Sequence, residues 1–289
     1  MAVKKTTRTK KAPTRKAAAQ SSPVAHVQAI ASKPLATNNV LILLLVAASL
    51  LAGYFFSQVQ QLKKGQTTAG TTTDQAAQPQ QTTVDIKTIK DLFSDGYLKF
   101  GDANRKVLFV EISDPSCPYC HVAGGFNPEV AKETGAVYKS QGGSYTPPVP
   151  EMKKLVDQGQ ASFVMLFGNG HGNGRLAAEA LYCAYDQNKF WEAHDLLMSN
   201  DGYNLQNNDV KNDRALTSKL VDFLASTVDS AQLTDCLQSK KHEADLTRDE
   251  KMDAALGFNG TPHFFVNNQA LFGAQDWDKF QPLVDAAQK

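Results

Sequence analysis

Two almost continuously apolar runs, 105–113 and 161–167, predict strands that are buried on both faces of a sheet. The first strand is expected to lie in the centre of that sheet. A helix from Pro115 to about Lys139 should follow it directly, with a kink or a break near Asn127 where glycine and proline interrupt the pattern. A strand that passes at once into a helix is typical of a mixed α/β domain.

Helical spacing dominates the next part of the chain, from about 175 to 256. Apolar residues recur three and four positions apart, and 202–208 is expected to break the pattern. After Pro262 a short apolar strand turns back into a hairpin partner, and Asp276 is expected to cap a closing helix. This order predicts a helical block inserted into a compact mixed sheet.

A separate apolar run near the N-terminus changes the expected location of the protein. Val40 to Phe56 contains no charged residue, and polar, uncharged residues extend the run to Leu62. A helix needs about 20 mostly apolar residues to cross the core of a bilayer. We therefore expect a transmembrane anchor at 40–59, with a cleaved signal peptide or a buried core helix as the alternatives.

Charge is divided unevenly between the two sides of this run. The 289-residue chain carries 30 Lys and Arg against 29 Asp and Glu, yet no acidic residue precedes Asp74. An excess of Lys and Arg before the anchor places the N-terminus in the cytoplasm and the acidic remainder in the periplasm or the extracellular space. The basic tail, 1–39, is expected to be disordered, and 60–83 is expected to be a flexible linker. Because the tail precedes a membrane span, we do not expect nucleic acid as its partner.

The candidate chemistry is concentrated in Cys117-Pro118-Tyr119-Cys120, which follows the first buried strand. A proline suits the first position of a helix, so Cys117 is expected at an exposed helix start. There the free N–H groups and the positive end of the helix dipole would lower the pKa of its thiol. Cys120 would lie one turn further in, shielded but able to resolve a mixed disulfide. A structural zinc site is the alternative, but it usually needs four ligands, and the sequence has no second pair with this spacing.

Four stretches together resemble the DsbA-like thiol-disulfide oxidoreductases, over about residues 84–289. They are 110–120 around the cysteine pair, 171–180 with the following Cys183-Ala184, 189–197, and 260–266. The resemblance implies an α/β protein with a thioredoxin-like fold and an inserted all-α subdomain. In this chain the single transmembrane helix would precede that fold.

The resemblance also implies roles for individual residues. Pro118 and Tyr119 would set how well the reduced thiolate is stabilised, and so the redox poise of the pair. Pro262 would be a cis proline that faces the cysteines, and Thr261 would offer backbone groups to an extended substrate peptide. Glu111 is expected to be a buried carboxyl group that relays a proton to or from the second cysteine, because the family carries an acid at this position. A solvent-facing strand residue is the alternative for Glu111.

Two further cysteines, Cys183 and Cys236, lie in the predicted helical block. Outside the cytoplasm two such cysteines tend to pair, and closing a loop of about 50 residues would stabilise the fold by roughly 4 kcal/mol. Two buried free thiols are the alternative. His121, which follows the active pair, either adds positive charge near the thiolate or is only an exposed helix residue. No metal and no other cofactor is expected.

The function predicted from these features is exchange of a Cys117–Cys120 disulfide with cysteines of secreted proteins, as an oxidase. A disulfide reductase or isomerase, a glutaredoxin-like enzyme that uses glutathione, and a non-catalytic module that binds client proteins are the alternatives. The resemblance implies two kinds of partner: substrate proteins with free thiols or disulfides, and a quinone-linked membrane protein that re-oxidises the pair.

Overall fold

The structure is a computed structural model that describes residues 84–94, 96–257 and 260–289. The predicted tail (1–39), anchor (40–59) and linker (60–83) lie outside these ranges. Within the described ranges, none of the helices combines the length and the apolar character that a membrane crossing requires.

A five-stranded mixed sheet forms the centre of the described chain, with the strands in the order β1-β3-β2-β4-β5. The strands are β1 (Leu98–Phe100), β2 (Val107–Ser113), β3 (Ala161–Phe167), β4 (His263–Val266) and β5 (Gln269–Phe272). β2 and β3 are parallel, and the other neighbouring pairs are antiparallel. Every residue of β2 and β3 is buried, so the prediction of two fully buried strands is confirmed.

Helices lie before, between and after the strands, and a group of them fills the chain between β3 and β4. They are α1 (Ile86–Asp91), α2 (Pro118–Gly124), α3 (Pro128–Glu133), α4 (Pro148–Asp157), α5 (Arg175–Asp186), α6 (Phe190–Leu197), α7 (Asn200–Asn204), α8 (Thr217–Leu224), α9 (Ser230–Gln238), α10 (Glu243–Ala255) and α11 (Trp277–Gln288). The chain also contains 3₁₀ turns at Lys139–Gln141 and Arg214–Leu216 and a π-helix at Leu205–Val210. We call α5–α10 and the turns between them the helical block.

Side chains of β2 alternate between two hydrophobic clusters, one on each face of the sheet. Phe109 packs in the larger cluster together with residues of the helical block, whereas Val110 and Ile112 pack in the smaller cluster. Because successive strand residues point to opposite faces, Glu111 and Ser113 lie on the face of Phe109. The two polar side chains of this strand are therefore directed toward the helical block.

The helical block is held together by covalent and ionic links. Cys183 in α5 and Cys236 in α9 form a disulfide, with their Cα atoms 6.0 Å apart. Arg214 bridges two helices, because its guanidinium donates to Glu179 at 2.5 Å and to Glu243 at 2.9 Å. The carboxylate of Glu179 is fully buried, so this partner satisfies a charge that burial would otherwise disfavour.

Two helix boundaries differ from the expectation. The expected break near Asn127 is confirmed, because Gly125 takes a left-handed conformation at the end of α2 and Asn127 caps α3 by accepting from Val130 N–H. The second helix ends at Glu133, earlier than the expected end near Lys139. The expected break at 202–208 is wrong, since this segment is helical. A Cβ at Gly202 would collide with the Leu197 carbonyl, so this glycine permits a close backbone approach.

Candidate active site

Cys117 caps the N-terminus of α2 and does not belong to the helix itself. Its backbone is extended, at φ −76° and ψ 127°, and Pro118 takes the first helical position. The expectation of an exposed thiol is wrong, because Cys117 is only 6% exposed. The loop before β4 covers it, and Sγ of Cys117 lies 3.3 Å from the carbonyl oxygen of Thr261. Tyr119 is the outward-facing member of the motif, with 52% of its surface exposed.

The two free thiols of the motif have opposite acidities. A hydrogen bond from Cys120, together with the N–H groups at the start of α2, lowers the pKa of Cys117 to about 6 despite partial burial. Complete burial raises the pKa of Cys120 well above its ordinary value, and the contact with Cys117 raises it further. At neutral pH the pair therefore holds a thiolate at Cys117 beside a protonated thiol at Cys120.

The loop before β4 brings Thr261 and Pro262 to the cysteines, and the peptide bond that joins these two residues is cis. The loop is packed from behind by the glycine-rich segment after β3. A Cβ at Gly170 would collide with the side-chain oxygen of Thr261, which explains why a glycine stands there. Two segments about 90 positions apart in sequence thus share one surface beside Cys117.

Asp114 fixes the same glycine-rich segment, a role that the sequence reasoning missed. One carboxylate oxygen of this buried residue accepts from the N–H and the hydroxyl of Ser116, at 2.9 and 2.7 Å. The other accepts from the N–H groups of His171 and Gly172, at 2.7 and 3.2 Å. The Asp-Pro-Ser sequence is a local turn signal that could have been noticed. The link to residues 171–172 is long-range and has no local signature.

Glu111 lies beneath the motif, on the face of β2 that the helical block covers. It is 1% exposed, so the solvent-facing alternative is wrong. Burial raises the pKa of its carboxyl group, while the nearby His194 and Ser113 lower it in part. Ser113 also counteracts the raised pKa of Cys120. Ser113 therefore affects the pKa of both the buried carboxyl group and the buried thiol.

His121 is fully buried, and both alternatives considered for it from sequence are wrong. Its ring nitrogens lie 2.9 Å from the Met198 carbonyl and 2.8 Å from the Pro115 carbonyl. Burial lowers the pKa of His121 to about 4, so the ring is neutral at physiological pH. It therefore ties α2 to the end of α6 and to the preceding turn, and it adds no positive charge beside the thiolate.

One set of side chains in the described residues brings metal-type ligand atoms together. Atoms of Cys183, Cys236 and His242 lie within 4.8 Å of one another. The two sulfurs are joined in the disulfide, so they offer no thiolate ligands. The imidazole of His242 contacts carboxylates through both nitrogens, Asp245 at 2.7 Å and Asp186 at 2.8 Å. This set is a structural feature of the helical block.

Two sequence comparisons relate the chain to known proteins. The profile of the thioredoxin family matches residues 150–286, a range that begins after the cysteine pair. A curated relative, Na(+)/H(+) antiporter NhaA 3 of Salinispora tropica, is 25% identical over 191 residues, which are 65% of this chain. The chain spans only 24% of the length of that relative.

Solved structures match the described fold over more of the chain. BdbD from Bacillus subtilis has a TM-score of 0.51 at 19% identity, covering 72% of this chain and 97% of that one. A thioredoxin-like oxidoreductase from Silicibacter pomeroyi has a TM-score of 0.50 at 22% identity, covering 69% and 97%. The thiol-disulfide exchange protein alpha-DsbA2 from Wolbachia pipientis has a TM-score of 0.50 at 21% identity, covering 70% and 92%. The described part of this chain therefore has a mixed α/β, thioredoxin-like fold with a helical part, and DsbA-like proteins are among its structural neighbours.

Proposed function

We propose that this protein is a thiol-disulfide oxidoreductase that acts outside the cytoplasm and introduces disulfides into secreted proteins. The observation that carries the proposal is the opposite shift of two neighbouring thiols, with the pKa of Cys117 lowered to about 6 and that of Cys120 raised. Disulfide exchange needs one sulfur that is ionised at neutral pH and a second that stays protonated until it reacts. The fold shared with a thiol-disulfide exchange protein supports the same class.

The exchange proceeds in two steps. In the oxidised protein a substrate thiolate attacks Sγ of Cys117, a mixed disulfide forms, and Cys120 leaves and takes up a proton. A second substrate thiolate then attacks the substrate sulfur of the mixed disulfide, and Cys117 leaves as a thiolate. Two electrons pass from the substrate to the cysteine pair, and the substrate gains one disulfide.

Stabilisation of the Cys117 thiolate favours the oxidising direction. A sulfur with a low pKa is a good leaving group, and a stabilised thiolate lowers the free energy of the reduced pair. The carbonyl of Thr261, 3.3 Å from Sγ, offers a main-chain acceptor to an extended substrate strand beside Pro262. Pro118 and the exposed Tyr119 would tune the potential and border the incoming peptide.

The location is proposed from the sequence. Residues 40–59 would anchor the protein in the membrane, with the basic tail in the cytoplasm and the cysteine pair outside. An anchored protein would stay close to a quinone-linked membrane partner that re-oxidises it. Protease treatment of intact cells and of spheroplasts, with antibodies against each end of the chain, tests this orientation.

The deciding experiment equilibrates the full-length protein with glutathione redox buffers and quantifies the reduced pair by alkylation and mass spectrometry. We expect a potential well above that of thioredoxin, and half-maximal alkylation of Cys117 near pH 6. Cys117→Ser should abolish oxidation of a reduced substrate protein. Cys120→Ser should accumulate a mixed disulfide when its Cys117 thiolate attacks a substrate that already carries a disulfide, because the thiol that would resolve the intermediate is missing. The double variant Cys183→Ala, Cys236→Ala is the matched control and should keep the activity.

The other outcomes separate the alternatives. A potential near that of thioredoxin (about −270 mV) would overturn the oxidase role in favour of a reductase or isomerase. A Cys117→Ser protein that keeps its client-dependent activity would identify a binding module. Turnover with glutathione as the obligate reductant would identify a glutaredoxin-like enzyme.

A further inference from the structure

The segment that follows α7 forms a turn of π-helix, at Leu205–Val210. The N–H of Lys211 donates at 3.0 Å to the carbonyl of Gln206, five positions back, where an α-helix would use four. The side-chain amide of Gln206 is buried, and it holds this turn against α6 and α7 by donating to the carbonyls of Leu197 and Gly202 at 3.1 and 3.0 Å. Single π-helical turns are rare and frequently lie at functional sites, so the next side chain of this turn is of interest.

Asn207, in this π-helical turn, reaches the residue that precedes the first cysteine of the motif. Its amide nitrogen donates to the carbonyl of Ser116 at 3.0 Å and to the carbonyl of Tyr203 at 3.2 Å. Its amide oxygen accepts from the side chain of Asn173, in the glycine-rich segment, at 3.1 Å. The amide is therefore held by three partners in one orientation. Ser116 is fully buried, and no other partner of its carbonyl is found among the described residues.

The peptide bond between Ser116 and Cys117 is therefore held at both ends. Its N–H, which belongs to Cys117, donates to the carbonyl of Asp114 at 2.9 Å, a contact within the local turn. Its carbonyl oxygen is bound by Asn207, a contact with the helical block 91 positions away in sequence. A peptide unit is planar, so fixing both groups fixes the position from which the Cys117 side chain leaves the backbone at the start of α2.

We propose that Asn207 is a positioning residue that keeps Sγ of Cys117 at the N-terminus of α2. The inference rests on the proposed function, because the Cys117 thiolate is the leaving group of the exchange. This thiolate is stabilised by the backbone N–H groups of Tyr119 and Cys120 and by the Cys120 thiol, and all three contacts need the sulfur in one place. Without the amide of Asn207 the buried carbonyl of Ser116 loses its partner, so the peptide unit should rotate and the sulfur should move away from these donors.

The other titratable groups around this contact stay neutral over the pH range in which Cys117 ionises. Burial lowers the pKa of His121 to about 4. Burial raises the pKa of Tyr203, whose ring centroid lies 4.9 Å from that of His121, and the charge of the Cys117 thiolate raises it further. Burial also raises the pKa of Cys120. The ionisation of Cys117 therefore reports on the contact with Asn207 without interference from these neighbours.

The test measures the pH dependence of Cys117 alkylation in the reduced full-length protein and the potential of the pair in glutathione buffers. In Asn207→Ala we expect the alkylation midpoint to rise by about one pH unit, which is a tenfold loss in the ionisation constant of the thiol. The pair should become a weaker oxidant by the same factor, or about 30 mV. A merely structural role would lower the free energy of unfolding but leave the midpoint and the potential of the folded protein unchanged.

A charged variant with a matched control separates the contact from a general charge effect. In Asn207→Asp an ionised carboxylate of nearly the same shape cannot donate to the Ser116 carbonyl, so the midpoint should rise at least as much as in Asn207→Ala. Asn208→Asp makes the same chemical change one position further on, at an exposed side chain that contacts Asn204. Solvent and salt screen a charge there, so the midpoint should be nearly unchanged.

If Asn207→Ala does not fold, Asn173→Ala removes only the donor that orients the amide, and it should lower the ionisation constant about threefold. Variants of Asn207 that keep the wild-type midpoint and potential would overturn the inference, and so would equal shifts in Asn207→Asp and Asn208→Asp. In the event that Asn207→Ala is unfolded, an unchanged midpoint in Asn173→Ala would overturn it. A wild-type midpoint near pH 8.5, the ordinary value of a cysteine, would instead overturn the proposed function.

Discussion

Two buried carboxylates of the helical block and the buried carboxyl group of β2 differ in their pairing. In the block, Glu179 is paired with Arg214, and Asp249 accepts from the Tyr182 hydroxyl at 2.6 Å and from Arg248 at 3.0 Å. Beneath the pair, the carboxyl of Glu111 and its polar neighbours have atoms without partners in the described structure. The paired carboxylates link helices of the block, whereas the carboxyl group of Glu111 makes no such link in the described structure.

Paired and unpaired buried carboxyl groups should contribute differently to the stability of the fold. A paired buried charge contributes little by itself, but removing one partner is strongly destabilising. An unpaired buried carboxyl group destabilises the folded state from the outset, and its loss should be a gain. Breaking a buried pair should therefore lower the free energy of unfolding, and removing an unpaired buried charge should raise it. The following substitutions test this from the largest effect to the smallest.

The largest effect is expected from the disulfide of the helical block. In the double variant Cys183→Ala, Cys236→Ala, the unfolded chain regains the freedom of a loop whose ends are 53 positions apart. We expect the free energy of unfolding to fall by about 4 kcal/mol. Urea denaturation followed by circular dichroism measures this change.

The activity of the same double variant sharpens the comparison. The rate of thiol exchange at Cys117 should be unchanged at a temperature where the variant is folded. A loss of exchange activity in the folded variant would contradict the separation of the two regions.

Secondary-structure elements with a continuous local pattern could be predicted from the sequence. β2 and β3 appear as almost continuous apolar runs, and the observed ranges fall inside the expected ones or match them. The cysteine motif was predicted from its spacing and its place between a strand and a helix, whereas the role of Pro262 was implied by the resemblance to a family. The break predicted at Gly202 was wrong, because the sequence does not distinguish a glycine that permits a close backbone approach from one that ends a helix.

The links between distant segments could not be predicted. Asp114 meets the glycine-rich segment 57 positions further along the chain, through its contact with His171 N–H. Glu111 is covered only because the helical block packs on its face of the sheet. Neither contact leaves a periodic signal in the sequence, so the candidate site was predicted as a list of reactive residues without the groups that support them.

The second effect concerns the buried charge of the helical block. Arg214→Met replaces the side chain with a long apolar one and removes the guanidinium that binds Glu179 and Glu243. Because the Glu179 carboxylate would be left buried without its partner, the free energy of unfolding should fall by about 3 kcal/mol. Lys87→Met, which breaks an exposed ion pair with Asp91, is the control and should leave the free energy of unfolding nearly unchanged. Equal effects of the two variants would contradict the assigned role of the buried pair.

The third effect lies at Asp253, where the two regions meet. This residue of α10 is 4% exposed, and a Cβ at Gly168 would lie 2.9 Å from its carboxylate and 3.3 Å from the Thr261 side chain. Burial raises the pKa of Asp253 to about 7, with Glu250 adding to the shift. The folded state therefore binds a proton that the unfolded chain releases near pH 4.

Stability from this proton is fully present below pH 4 and is lost as the pH rises to about 7. After allowance for partial solvation, the loss should be roughly 2 kcal/mol. Asp253→Asn should remove this part of the pH dependence, as measured by urea unfolding at pH 4.5 and pH 8. A stability profile identical to that of the wild type would show that Asp253 is not held protonated.

The smallest effect has the opposite sign and is expected at Glu111. Burial raises the pKa of this carboxyl group, so the stability linked to its proton is present below about pH 4 and is lost as the pH rises through the raised value. Glu111→Gln retains the shape of the side chain but cannot ionise, so at pH 8 it should be more stable than the wild type by about 1 kcal/mol. At pH 4 the two proteins should be equally stable. A variant that loses stability at pH 8 would place Glu111 with the structural charges of the helical block, whereas a gain in stability together with slower thiol exchange would show that this buried acid is retained for reactivity.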